Sequence, residues 1–77
     1  LPVQASVDAR GELLAVVRQR DDRTELVLYR RSLMAVQPIA ITPAGVPLQV
    51  SLSADGRVLA VEVSRGGLWQ VDLLELP

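Results

Sequence analysis

Apolar and polar positions along this chain alternate in short runs, each closed by a turn signal, and no run holds a helical period for a useful length. Val3 to Val7 reads as a short strand, bounded by Pro2 and by the turn Asp8-Ala9-Arg10-Gly11. Glu12 to Arg18 is rich in Val and Leu, the pattern of a strand buried on both faces. Gln19 to Arg23 holds no apolar residue and reads as a charged turn. Thr24 to Arg30 alternates, with Leu26, Leu28 and Arg30 on one side and Val27 and Tyr29 on the other. Leu33 to Ile41 reads as a fourth strand. Pro38 has no N–H to give to a ladder, so this strand is predicted to lie at an edge or to bulge there.

The pattern then starts again. Thr42-Pro43-Ala44-Gly45-Val46-Pro47 is a linker, followed by strands over Leu48 to Leu52, Arg57 to Val63 and Leu68 to Leu73, with turns at Ser53-Ala54-Asp55-Gly56 and Ser64-Arg65-Gly66-Gly67. Gly11 and Gly56 are 45 residues apart, and the same offset places Ser6 on Ser51, Leu14-Ala15-Val16 on Leu59-Ala60-Val61, Arg20 on Arg65 and Pro2 on Pro47. A gap of about three residues in the next turn then sets Leu26 on Leu68 and Tyr29 on Val71. The repeats divide the chain into 1–46 and 47–77, and Leu74 to Pro77 is too short for a fourth strand, so the second repeat stops one strand early.

Composition narrows the function classes. The chain has 77 residues, 49% hydrophobic and 22% charged, which is a globular composition. A unit this small is marginal alone. With Cys 0 and His 0 it has neither a disulfide nor the ligands of a typical zinc site to reinforce it, so added burial from oligomerisation or further sequence is expected. A net charge of -1 favours neither nucleic acid nor an anionic membrane, and the longest apolar run is too short to span a bilayer. No Met begins the sequence and no signal peptide is visible.

The segment Ser51-Leu52-Ser53-Ala54-Asp55-Gly56-Arg57-Val58-Leu59-Ala60-Val61, continued by Gly67-Leu68-Trp69-Gln70-Val71-Asp72-Leu73, resembles the TolB-like and WD40-like β-propeller repeat. The first repeat is a looser copy, with Asp8-Ala9-Arg10-Gly11 at the family's Pro-Asp-Gly turn and Tyr29-Arg30-Arg31 at its Asp-Leu ending; the second has Ala54 where the family has Pro. The resemblance implies an all-β fold of two four-stranded antiparallel propeller blades, the second incomplete. A propeller needs roughly four to eight blades, so the two would be part of a larger propeller or assemble into one. Three copies would make six blades, and the missing outer strand would come from a segment like Leu33–Ile41 of another copy, or from a partner.

No residue pattern points to catalysis, a metal or a cofactor. Ser51, Ser53 and Ser64 have no His to activate them. Asp8, Asp55 and Asp72 read as turn and cap carboxylates. Asp21 and Asp22 are flanked by Arg20 and Arg23 and lack the acidic series of a calcium loop. Gly66-Gly67 is a turn, not a phosphate loop. Trp69 and Tyr29, the one Trp and the one Tyr, are expected to pack between blades, with ligand stacking as the lesser reading. The surface expected to meet a partner comprises the loop Arg20, Asp21, Asp22 and Arg23, together with Arg30, Arg31 and Trp69. The expected function is therefore a non-catalytic protein–protein interaction or scaffold module that takes a protein partner or itself and no nucleic acid. By resemblance such modules are often found in the bacterial periplasm or are secreted, and a chain without Cys is equally compatible with the cytoplasm. Two readings compete: a blade pair from the propeller of a larger enzyme, such as a peptidase with catalysis elsewhere, and a closed small barrel or sandwich made by these strands alone.

Overall fold

Two polar turns, one around Gly11 and one around Gly56, fold the chain back on itself in the same way, and the rest of the architecture is built outward from them. The computed structural model describes residues 4–77. The expected strand start at Val3 and the Pro2 half of the Pro2–Pro47 correspondence lie outside the described residues. The strands are β1 (Gln4–Val7), β2 (Leu13–Arg20), β3 (Arg23–Arg30), β4 (Ala35–Ile39), β5 (Val46–Leu52), β6 (Val58–Arg65) and β7 (Leu68–Glu75). The first four form one antiparallel sheet in the order β1-β2-β3-β4, and the last three form a second in the order β5-β6-β7. The fold is all-β, and neither sheet closes on itself.

The turns bring their own backbone hydrogen bonds. Asp8 N–H donates to Leu13 O at 3.1 Å and Gly11 N–H to Asp8 O at 3.1 Å; in the second sheet Ser53 N–H donates to Val58 O at 2.9 Å and Gly56 N–H to Ser53 O at 3.0 Å. Gly56 sits at φ +73°, a region that L side chains rarely adopt, and a Cβ there would come within 3.0 Å of both Asp8 Oδ2 and Leu13 Cδ1.

The strands differ from the expected ones mainly at the hairpin tips. Arg20 pairs directly with Arg23, leaving Asp21 and Asp22 as a two-residue turn at φ 51° and 62°. Arg65 pairs with Leu68 across Gly66 and Gly67 at φ 56° and 81°. Two central residues at positive φ match the twist of antiparallel strands, so β2 and β6 run on to Arg20 and Arg65. Because both turns have the same length, the three-residue gap is not there. Ala15 opposes Leu28 and Ala60 opposes Leu73, so the offset of 45 holds through β7, and Leu26 corresponds to Val71 and Tyr29 to Leu74.

The fourth strand begins later than Leu33. Arg31–Leu33 is a short 3-10 turn closed by Met34 at φ 48°. Glu12 holds it in place: its carbonyl accepts from Arg31 N–H at 2.8 Å, and its carboxylate accepts from Ser32 N–H at 3.1 Å and from the Ser32 hydroxyl. Pro38 lies on β4, opposite Val27, at the outer edge of the first sheet where its missing N–H costs no ladder bond.

One face of each sheet is sealed by the other. On the first sheet this face, here its front, carries Leu13, Ala15, Val17, Leu26 and Leu28; on the second sheet the sealed face, its back, carries Leu52, Leu59, Val61 and Val63. Together they form a single apolar cluster. Each of the larger side chains so buried contributes about 1.5–3 kcal/mol. The back of the first sheet carries Leu14, Val16 and Tyr29, which are half-buried, and Val27, which is buried outside the apolar cluster; along β2 itself only the front is sealed. Leu14 and Leu59 correspond in the repeat but do not share an interior: Leu59 faces the other sheet and Leu14 faces away from it. Between the sheets, Arg65 Nε donates to Pro43 O at 3.0 Å and Gly45 lies so close to Val63 that a Cβ would come within 2.5 Å of its Cγ1.

Candidate functional site

The residues expected to meet a partner do not gather into one patch. Arg20, Asp21, Asp22 and Arg23 form the exposed β2–β3 tip. Arg30 and Arg31 lie at the other end of β3, an 8-residue strand, so at about 3.3 Å per residue they stand roughly 23 Å from Arg23. Trp69 is on the second sheet near the Gly66-Gly67 turn, and at 72% exposed it packs into no interior of this chain. Tyr29 is half-buried on the back of the first sheet.

The three aspartates are also separate, and each has local work. Asp8, 3% exposed, accepts from Glu12 N–H at 2.8 Å and Leu13 N–H at 3.1 Å, and faces Arg10 at 3.5 Å. Burial works against its charge, but the two backbone N–H groups and Arg10 outweigh it and hold the carboxyl below its usual range. Asp55 accepts from the Ser53 hydroxyl at 2.7 Å and Arg57 N–H at 3.1 Å, and these bonds likewise lower its pKa. Asp72 is not a turn or cap residue. It lies inside β7 and takes Arg65 in a two-pronged pair at 3.0 and 2.6 Å, which lowers the carboxyl and raises the guanidinium. Among the described residues no three Asp, Glu, His or Cys side chains come together in a way that would hold a metal ion, and no helix is long and apolar enough to cross a membrane.

Stacking of the sheets creates a rim cleft of about 850 Å³ where the Gly11 and Gly56 turns meet. Arg10, Arg30 and Arg57 line it together with Asp55 and Glu75, over an apolar floor that includes Leu13. Of the three arginines only Arg30 stood out in the sequence; Arg10 and Arg57 come from corresponding turns of the two repeats and come to one cleft only when the sheets stack. The cleft offers ion pairs and hydrogen bonds.

The second feature is the front of the second sheet. Trp69, Val71 and Leu73 stand on one face of β7, 72%, 66% and 70% exposed, opposite Ser64, Glu62 and Ala60 of β6. On the front of the first sheet, Leu26 and Leu28 hold the positions of Val71 and Leu73 and are 2% and 3% exposed. An apolar stripe on an open sheet face is the usual mark of a contact surface. Compared with known proteins, the chain matches no family model and no curated protein.

Proposed function

We propose that this chain is a non-catalytic interaction module of β-propeller type, two blade-like sheets of a larger ring in which further sheets cover both open faces. The observation that carries this reading is the repeat at an offset of 45, which extends to strand register and turn hydrogen bonds. By that repeat, the exposed front of the second sheet is built like the sealed front of the first, and the half-buried back of the first like the sealed back of the second. Two sheets alone would leave both faces and the β7 edge open to unwanted pairing. The residues offer surfaces rather than a reactive group, since Ser51, Ser53 and Ser64 stand in a chain with His 0 and Cys 0.

An experimental structure of the protein as purified tests the reading. Further antiparallel sheets are expected against both open faces, about 10 Å away, turning about a common axis. A two-sheet molecule with both faces in water at high concentration would overturn it.

A further inference from the structure

The covered interface of this molecule can be carried forward by one repeat, residue by residue. It joins the front of the first sheet to the back of the second. Apart from the linker contact of Arg65 with Pro43, its polar contacts among the described residues are two: Leu52 N–H donates to Ser6 Oγ at 2.9 Å, and Ala9 N–H donates to Ala54 O at 3.0 Å. Moved on by 45 residues, the acceptor Ser6 becomes Ser51, which is exposed on the open front, and the donor Ala9 becomes Ala54. The matching groups on the open back of the first sheet are Val7 N–H, in place of Leu52 N–H, and Ala9 O, in place of Ala54 O. Both halves of each contact therefore exist in this chain, one on each open face.

The charges agree as well. Val17 on the sealed front and Val63 on the sealed back belong to one apolar cluster. The corresponding positions on the open faces hold Glu62 on the front of the second sheet and Arg18 on the back of the first. Two neutral positions, one on each side of the covered interface, thus become opposite charges on the two open faces. Arg18 approaches Glu25 on its own sheet through Nε at 2.9 Å.

We propose that the open front of the second sheet, centred on Val71 and Leu73, docks the back of the first sheet of a second copy of this chain, so that copies add head to tail. This rests on the reading of the sheets as units of a larger ring and names what supplies the others. The two surfaces differ, so the contact is heterologous and closes only around a ring. At roughly four to eight sheets, a ring would take about two to four copies.

Single-face variants of the 77-residue chain test this. Leu73→Asp alters the front and Val7→Asp the back, at positions 70% and 56% exposed, so circular dichroism should show both folded. Sedimentation equilibrium should give a closed oligomer for the parent, a monomer for each variant, and a 1:1 dimer that grows no further when the two are mixed. Glu62→Arg should weaken parent association at least about tenfold, and exchanging the Arg18–Glu25 pair in the same chain should restore it. Emission from Trp69, the one Trp, should shift to the blue on association and stay red in the single variants. An assembly that Leu73→Asp breaks and Val7→Asp leaves intact, or a mixture that stays monomeric, would overturn head-to-tail docking while leaving the stacked-sheet reading standing. So would a structure in which flanking sequence of the same chain supplies the further sheets. A parent that stays monomeric with both faces bare would overturn both.

Discussion

Asp8 and Ser53 do the same work in the two sheets with different chemistry. Asp8 Oδ1 accepts the backbone N–H groups of Glu12 and Leu13 at 2.8 and 3.1 Å, and Ser53 Oγ accepts those of Arg57 and Val58 at 3.2 and 3.0 Å. In each case one side-chain oxygen satisfies the two donors that start the next strand, as side chains at turns often do. A hydroxyl should therefore stand in for the carboxylate. Asp8→Ser is expected to lower the melting temperature much less than Asp8→Ala, which leaves two N–H groups beside the apolar cluster without that acceptor. Thermal unfolding followed by circular dichroism would check the order.

The carboxylates predict an acid limb. Asp72 is held below its ordinary value by Arg65, Asp55 by Ser53 and Arg57, and Asp8 by backbone N–H groups that overcome its burial. A carboxyl whose folded pKa is depressed adds stability that is fully present above its unfolded value, and that is lost as pH falls through the folded one. Denaturant midpoints should stay level from neutral pH down to about 5 and then fall below about pH 4, the ordinary carboxylate range. Asp72→Asn should lower the neutral-pH midpoint and flatten part of that fall. An unchanged acid limb in this variant would show that the Arg65 pair adds nothing.

Much of the fold was legible because its signals are local. The Gly11 and Gly56 turns, the alternation of Leu26 to Arg30 and the edge position of Pro38 each follow from residue type and period. The hairpin tips were misjudged because Asp21-Asp22 does the work of Gly66-Gly67, and two aspartates at positive φ are not a pattern that advertises a two-residue turn. Of the candidate surface, Trp69 was visible as a residue. Its exposure was not, because period alone does not say which face of β7 a second sheet covers. Glu62 and Arg18 carried a usable sign: each breaks an apolar position of its own repeat, and together they mark the two faces left open. The Arg10 and Arg57 rim cleft had no such sign, since it exists only after the sheets stack.

Gly45 predicts a steric effect in the linker. Its Cβ would come within 2.5 Å of Val63 Cγ1 and 2.8 Å of Arg65 Cγ, and Val63 is fully buried in the apolar cluster. Gly45→Ala is expected to destabilise the fold by about 1–3 kcal/mol, the usual cost of overpacking a filled interior. Gly66→Ala, with open space around it but a φ of +56°, separates the two causes, since any loss there comes from backbone conformation alone. Urea unfolding of both variants is the measurement.

Leu28 and Leu73 give the sharpest test of how unequal the two equivalent faces are. They hold the same register, opposite Ala15 and Ala60, yet one is 3% and the other 70% exposed. Leu28→Ala empties a packed site and should cost about 2–5 kcal/mol. Leu73→Ala removes methyl groups already in water and should cost no more than about 0.5 kcal/mol in dilute chain. If a further sheet covers Leu73 when copies associate, its cost should climb toward that of Leu28 as protein concentration rises, because association then adds to measured stability by mass action. The cost of Leu28→Ala has no such reason to move. Denaturant curves at two protein concentrations distinguish a face that stays in water from one that becomes a core: a Leu73→Ala cost that is the same at both marks the bare face.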